Sequence, residues 1–365
     1  MTGKHIVIDA RARRSSTGRY ADELVEHLQD VDHSNRYTVL VAPDDSWQMH
    51  SPDFQTVPCP FPQFSYNPLH EIRFAWQLYR LKPDLVHFTM TQQPLLYFGN
   101  IVTTTHDLTM LHFIRRGSTP RLLFWLKMRL YHFLMWSAHH KSKRIIVPTH
   151  TTARELADFQ PFTKEKIVVT YESAGVPSDV QSKQPARVSG HYIMYQGTFF
   201  PHKNLETLVS AFDKVHAEKP KLKLVMVGKR EKNLEDLEAK IAGHPSKDNI
   251  ILTGFLPDEE SKWTFEHADL YVFPSLSEGW SMTALEAMNF GTPVVSSNAS
   301  VLPEVYGEAP LYCDPLNPDD MAEKILLMLD NHALQKRHIA LGHKQVSKYS
   351  WEKMAKETLA VYKKL

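Results

Sequence analysis

The stretch SEGWSMTALEA, residues 277–287, holds two glutamates eight positions apart, Glu278 and Glu286. On a straight helix that offset is about 800°, so the two side chains would point about 80° apart. A single helix face therefore does not bring both to one ligand. The flanking residues give another arrangement. DLYVFP (269–274) reads as a strand, and Ser275 to Gly279 as a turn. A helix then starts near Ser281, a good N-cap type, and runs to Asn289, where Gly291 and Pro293 stop it. Glu278 lies in the loop before that helix and Glu286 about one turn inside it, so both carboxylates can face one ligand. The amides of the helix N-terminus between them form an anion site. An anion flanked by two hydroxyl-accepting carboxylates suits a sugar nucleotide, with ribose on one glutamate, the transferred sugar on the other and the diphosphate on the amides.

The rest of the chain supplies the scaffold for such a site. HIVID (5–9), YTVLV (37–41), DLVHF (84–88), IVTTT (101–105), RIIVP (144–148) and KIVVT (166–170) are short apolar runs. They read as parallel strands buried on both faces, separated by helical stretches such as GRYADELVEHLQD. The polar, Ser- and Pro-rich segment 173–190 reads as a boundary. A second series follows: HYIMYQG (191–197), LKLVMVG (222–228), NIILTG (249–254), DLYVFP and PVVSS (293–297). The pattern predicts two doubly wound α/β domains with a cleft between the carboxyl ends of their sheets. Residues 1–175 form the first and 176–345 the second, and the helix within 346–365 packs back on the first.

Composition excludes several classes. At 365 residues the chain suits two domains, and 42% hydrophobic and 23% charged residues are ordinary for a globular protein. A net charge of +1 argues against a general nucleic-acid binder. Two distant cysteines, Cys59 and Cys313, make neither a disulfide framework nor a metal-ligand spacing. Signal-peptide character is missing from the first residues, and no apolar run is long enough to span a bilayer. The expected location is the cytoplasm, with any contact to the inner face of the cell membrane being peripheral.

Beyond the two glutamates, five further blocks stand in order: STGRYADEL (16–24), TTTHDL (103–108), KIVVTYESAG (166–175), YQGTFFPHKNLETLVSAF (195–212) and NIILTGFLPDEE (249–260). With Glu278-x7-Glu286 they resemble the retaining GT-B glycosyltransferases of family 4, over nearly the whole chain. The resemblance implies two Rossmann-like domains, with the nucleotide held mainly by the second. It implies that Glu278 meets the donor sugar's hydroxyls and Glu286 the ribose. Gly279, Trp280, Ser281, Met282 and Thr283 would form the amide cradle for sugar and phosphate. Lys203 would neutralise the diphosphate, Gly18 would let an N-terminal loop approach the phosphates, and His106 would stand beside the reacting sugar. Trp280 also reads as a packing residue, and Gly18 as a helix-start glycine.

The chain departs from the family pattern at several points. Thr198 and His202 occupy positions that are often arginine, which leaves Lys203 short of its usual companion on the phosphates. Gly279-Trp280-Ser281 replaces the usual GFG, and Thr283 a common proline. Separately, no acidic residue occurs from Leu108 to Arg154, while basic and aromatic residues interleave through 115–144. The core of this stretch, PRLLFWLKMRLYHFLMWSAHH, is apolar almost all round and reads as a mostly buried helix with basic ends. Such a stretch also suits an anionic membrane surface or a lipid-diphosphate acceptor.

The function these readings imply is transfer of a hexose-type sugar from a nucleoside diphosphate sugar, such as GDP-mannose or a UDP-hexose, to a hydroxyl of a glycan or lipid-linked acceptor. Configuration would be retained, in polysaccharide or lipid-linked glycan synthesis, with no metal or other cofactor and no nucleic-acid partner. The competing reading is a sugar-nucleotide-binding GT-B protein without transferase activity.

Overall fold

The computed structural model describes residues 3–13, 18–62, 67–113, 119–175 and 180–365. Arg115 and Arg116 of the basic stretch, Ser16 and Thr17 of the STGRY block, and residues 176–179 of the boundary segment lie outside them. The chain divides into two compact units, Met1–Glu172 joined by Ser350–Leu365, and Ser173–Tyr349. The breaks thus fall at 172/173 and 349/350, a few residues from the 175/176 and 345/346 read in the sequence.

Among the described residues of the first unit, seven parallel strands pair: β1 (His5–Asp9), β2 (Arg36–Val41), β3 (Phe54–Pro58), β4 (Leu85–Phe88), β5 (Ile101–Thr104), β6 (Arg144–Val147) and β7 (Ile167–Val169). Their order is β3-β2-β1-β4-β5-β6-β7. The second unit has β8 (Tyr192–Gln196), β9 (Lys223–Val227), β10 (Ile250–Gly254), β11 (Leu270–Phe273), β12 (Val294–Ser297) and β13 (Leu311–Cys313), all parallel, in the order β10-β9-β8-β11-β12-β13. β1, β4 and β5 are buried along their whole length, which is why apolar residues dominate HIVID, LVHF and IVTT and why their polar residues, such as His5 and His87, are hydrogen-bonded inside. Each sheet reverses its winding beside its first strand, between β1 and β4 and between β8 and β11. Loops leaving the carboxyl ends of strands at such a reversal part to either side and leave room for a ligand.

β3 and β13 were not anticipated. Both are short edge strands, FQTVP and LYC, with one neighbour each and partly exposed side chains, so neither shows the apolar run of a central strand.

The C-terminal helix Trp351–Lys363 belongs to the first unit and packs on helix Gly18–Val31. Ser350 caps it by accepting from Lys353 N at 3.2 Å. Tyr362 at its far end is fully buried, and its hydroxyl lies 2.5 Å from His87 Nδ1 on β4. Lys4 Nζ donates to the Tyr362 carbonyl at 2.9 Å.

Helix Arg121–Lys141 corrects the sequence reading. It is mostly exposed, not mostly buried. Only Met135, Ala138 and His139 are buried, while Leu122, Trp125, Phe133 and Trp136 face outward. An all-round apolar pattern excludes a polar face but does not say what covers the apolar one. Among the described residues no helix is long and apolar enough to cross a membrane.

Candidate active site

In the second unit the site grows from the reversal between β8 and β11. β11 ends at Phe273, and the loop that follows leads into helix Met282–Asn289, one residue later than the start near Ser281 read in the sequence. Ser281 precedes the helix with φ of 68°, a left-handed conformation uncommon for a residue with a Cβ. Its hydroxyl makes no capping bond among the described residues, so the expected N-cap is a positional one only. Two core tyrosines hold the turn instead. Tyr306 donates to the Ser281 carbonyl at 3.2 Å, and the Tyr271 hydroxyl lies 2.8 Å from Thr283 Oγ1 and 3.1 Å from the Gln196 carbonyl. The first amides of this helix, including those of Met282 and Thr283, face the region before it.

Three consecutive residues after β8 clamp that loop. The His202 carbonyl accepts from Leu276 N at 2.7 Å. Lys203 Nζ donates to Glu278 Oε1 at 2.5 Å. Asn204, left-handed at φ 58°, donates from Nδ2 to the Pro274 carbonyl at 3.1 Å and to the Pro315 carbonyl at 2.6 Å. Ser275 Oγ adds a 2.6 Å bond to Glu278 Oε1, and Ser300 Oγ bridges the Glu278 backbone, accepting from N at 3.3 Å and donating to O at 3.2 Å. The Lys203 and Glu278 side chains are 14% and 10% exposed, so their charges meet with little intervening solvent. The sequence left Lys203 short of a companion; the structure gives it Glu278.

Glu286 stands one turn inside the helix and is buried. Gly175 lies against it: a Cβ there would sit 2.4 Å from Glu286 Oε1, so only glycine fits beside the carboxyl as it stands. Tyr271 lies near both glutamates. Burial pushes its phenol far up, and the Glu286 and Glu278 charges push it further. Trp280 is 4% exposed, packed edge-on against Tyr349 at 4.8 Å, and its indole donates to the Ser173 carbonyl at 3.2 Å. Its ring is thus a packing group.

His106 and Gly18 belong to the first unit. His106 follows β5, with Nδ1 3.1 Å from Glu172 Oε1 and Nε2 2.9 Å from the Thr89 carbonyl. A carbonyl only accepts, so Nε2 carries a proton. Burial pulls the imidazole's pKa down, but the hydrogen bond to Glu172 and its charge, helped by Thr89, leave it raised above 6.5. Both ring nitrogens face protein oxygens, which fixes the orientation of the ring. Asp107 accepts from Thr109 N at 2.8 Å and so orients backbone. Tyr20 packs edge-on against His106 at 4.9 Å, which ties the start of helix Gly18–Val31 to this histidine. A Cβ at Gly18 would lie 2.2 Å from the Arg13 backbone, so the chain's own close packing already requires glycine there.

A cavity of about 370 Å³ opens beside His106 at the β1–β4 reversal, between helix Pro68–Leu81 and helix Arg121–Lys141. Its polar lining includes Arg11, Glu71, Gln92 and Gln93. The carboxamide oxygens of Gln92 and Gln93 are buried and make no hydrogen bond among the described residues. Sequence reasoning missed Glu172, Ser275, Asn204 and Gly175. Glu172 and Gly175 stand inside the quoted block KIVVTYESAG, and Asn204 directly follows Lys203, so adjacency to a named residue was the available signal. Among the described residues no cluster of His, Cys, Asp and Glu is arranged to hold a metal ion.

Residues 178–345 match the family described as glycosyl transferases group 1, and residues 17–172 match the one described as glycosyltransferase family 4. The O-antigen chain mannosyltransferase B of Escherichia coli is 28% identical over 82% of this chain and 80% of its own length. Sucrose-phosphate synthase from Thermosynechococcus elongatus superposes with a TM-score of 0.78 at 17% identity, covering 99% of this chain and 98% of its own. Anabaena HepE in complex with UDP and glucose superposes at 0.75 with 14% identity, covering 99% of this chain and 100% of its own. At these identities the two structures speak for the fold alone.

Proposed function

Because the chain belongs to the group 1, family 4 glycosyltransferases and has their GT-B fold, we propose that it transfers a mannosyl group from GDP-mannose to a hydroxyl of a lipid-linked or polysaccharide glycan, with retention at the anomeric carbon. The observation that carries this reading is the Lys203–Glu278 pair, held at the head of the helix that bears Glu286. The name of the E. coli relative, an O-antigen chain mannosyltransferase, supports mannose and a glycan acceptor. HepE binds UDP and glucose, which makes UDP-hexoses the comparison donors.

In this reading Glu286 takes ribose hydroxyls and Glu278 takes hydroxyls of the transferred sugar. Lys203 exchanges Glu278 for the diphosphate, whose remaining charge falls on the amides of Gly279, Trp280, Ser281, Met282 and Thr283. No divalent ion is assigned a role. The bond from the anomeric carbon to the phosphate oxygen breaks as the acceptor oxygen attacks from the same face. The acceptor's proton passes to the departing phosphate oxygen, and the nucleoside diphosphate leaves. Glu278 and Glu286 are hydroxyl acceptors here and not the flanking acid/base pair of a glycosidase. The acceptor takes the cavity of the first unit, where Gln92 and Gln93 offer unused carbonyl oxygens to its hydroxyls. His106, fixed by Glu172 and Thr89, positions the backbone at its rim.

The test is calorimetry with GDP, UDP, GDP-mannose and UDP-glucose, followed by NMR of the product anomer. Preference for GDP-mannose and an α-linked product support the proposal. Preference for a UDP-hexose replaces the donor, and an inverted anomer overturns the mechanism.

A further inference from the structure

Two helices of the first unit present apolar side chains to solvent on a common theme. On helix Arg121–Lys141, Leu122 is 70% exposed and Trp125 52%, with Leu126, Phe133 and Trp136 also outward. Helix Pro68–Leu81 buries Phe74, Ala75 and Leu78, and exposes Leu69, Ile72, Trp76 and Tyr79 on the other side. That spacing of three, four and three marks a second helical stripe, left largely exposed among the described residues. Loop 94–98 joins the two. Lys141 Nζ donates to the Pro94 carbonyl at 2.6 Å, the Tyr79 hydroxyl donates to the Leu96 carbonyl at 3.2 Å, and Phe98 N donates back to Tyr79 at 3.0 Å. Phe98 on this loop is 70% exposed.

Basic residues predominate around these stripes, and the one carboxylate on either helix, Glu71, lines the cavity and accepts from Leu95 N at 3.2 Å. Arg129 lies 4.9 Å over the Trp125 ring and Arg80 4.6 Å over Trp76, so each exposed indole carries a guanidinium. Lys127 and Arg121 are exposed on the longer helix, and no acidic residue occurs between Leu108 and Arg154. A second copy of the same face would bring like charges together. An anionic surface with an apolar interior complements both features, the rings entering the acyl boundary and the basic heads staying with the headgroups.

We propose that helices Pro68–Leu81 and Arg121–Lys141, with loop 94–98 between them, dock the protein on an anionic lipid bilayer. The cavity beside His106 lies between the same two helices, so docking sets its walls at headgroup depth. The consequence that a lipid-linked acceptor enters from the bilayer rests on the function proposed above; docking itself does not.

The test is co-sedimentation of the full chain with phosphatidylcholine vesicles and with an equimolar phosphatidylcholine–phosphatidylglycerol mixture. Binding is expected on the mixture and to weaken with salt. Lys127→Gln with Arg129→Gln removes two cationic heads and should weaken it about thirtyfold. Trp125→Ser and, on the other helix, Trp76→Ser should each weaken it as well. All four residues are exposed and belong to the first unit, whereas the donor loops belong to the second, so nucleoside diphosphate binding by the same variants should be unchanged and serves as the folding control. Equal binding to neutral vesicles, or binding to the mixture that none of the variants weakens, overturns the proposal. So does a dimer in sedimentation equilibrium that Trp125→Ser dissociates, which would make the face a contact between copies. Failure of the donor assays with intact vesicle binding overturns the functional reading and leaves docking standing.

Discussion

Gly175→Ala offers a sharp test of the Glu286 site, because a single methyl group is aimed at one carboxylate oxygen. The new Cβ would lie 2.4 Å from Glu286 Oε1, so the carboxyl must retreat by about 1 Å to reach ordinary van der Waals separation. A hydrogen bond near 2.8 Å lengthened by that amount is no longer one. If Glu286 holds the ribose, the variant loses a charged hydrogen bond worth about 1.5–3 kcal/mol, or about ten- to a hundredfold in nucleoside diphosphate affinity. The same overpacking costs about 1–3 kcal/mol of folding stability. Glu286→Ala separates the two effects. It removes the obstructed atoms, so the double variant Gly175→Ala/Glu286→Ala should recover the stability lost to crowding but none of the affinity. Calorimetry with nucleoside diphosphate and urea unfolding on the four proteins close the cycle. Wild-type affinity in Gly175→Ala, or additive stability losses in the double variant, would refute the reasoning.

Glu278→Gln releases Lys203 from its ion pair, so free nucleoside diphosphate should bind at least as tightly while transfer falls about ten- to a hundredfold; weaker diphosphate binding with intact initial rates contradicts the assigned roles. Because the folded-state pKa of His106 is raised above 6.5, the folded protein holds this proton more tightly than the unfolded chain. The stability it contributes is full below that pH and is lost as pH rises through the folded-state value. Urea midpoints should fall over that window, and Glu172→Gln should flatten the fall. Tyr362→Phe leaves buried His87 Nδ1 without its 2.5 Å partner and should cost about 1–3 kcal/mol in unfolding, with nucleotide affinity unchanged.

The central strands were legible because burial on both faces writes them as unbroken Val, Ile and Leu runs, as in HIVID and LKLVMVG. The edge strands β7 and β10 keep apolar runs, whereas β3 breaks its run at Gln55 and Thr56 and β13 has only three residues, so these two lacked that signal. Helix Arg121–Lys141 was legible as a helix and misread as to its cover. Apolarity tells that a surface prefers to leave water, and the fold alone tells whether the chain itself supplies the refuge. Glu172 and Asn204 gave no periodic signal at all. Their importance comes from side-chain partners 66 and 70 or more positions away, and no local pattern encodes such a distance.

The eight-residue spacing of Glu278 and Glu286 shows how a local pattern becomes informative once an element boundary is placed inside it. Left in one helix, the two carboxylates diverge. With Ser281 in a left-handed turn between them, the first carboxylate belongs to a loop whose path is set from elsewhere, by His202, Lys203 and Asn204. The second belongs to a helix anchored by Tyr271 and Tyr306 from the core. The two glutamates are therefore positioned by independent supports. A change in the PHKN turn should move Glu278 and leave Glu286 in place, whereas loss of the Tyr271 hydroxyl should move the helix start and with it Glu286. Asn204→Ala and Tyr271→Phe make that distinction measurable: the first should lower transfer with nucleoside diphosphate affinity kept, the second should lower affinity itself. If both variants lose affinity and transfer in the same ratio, the two carboxylates are held as one rigid unit and the separate supports carry no functional meaning.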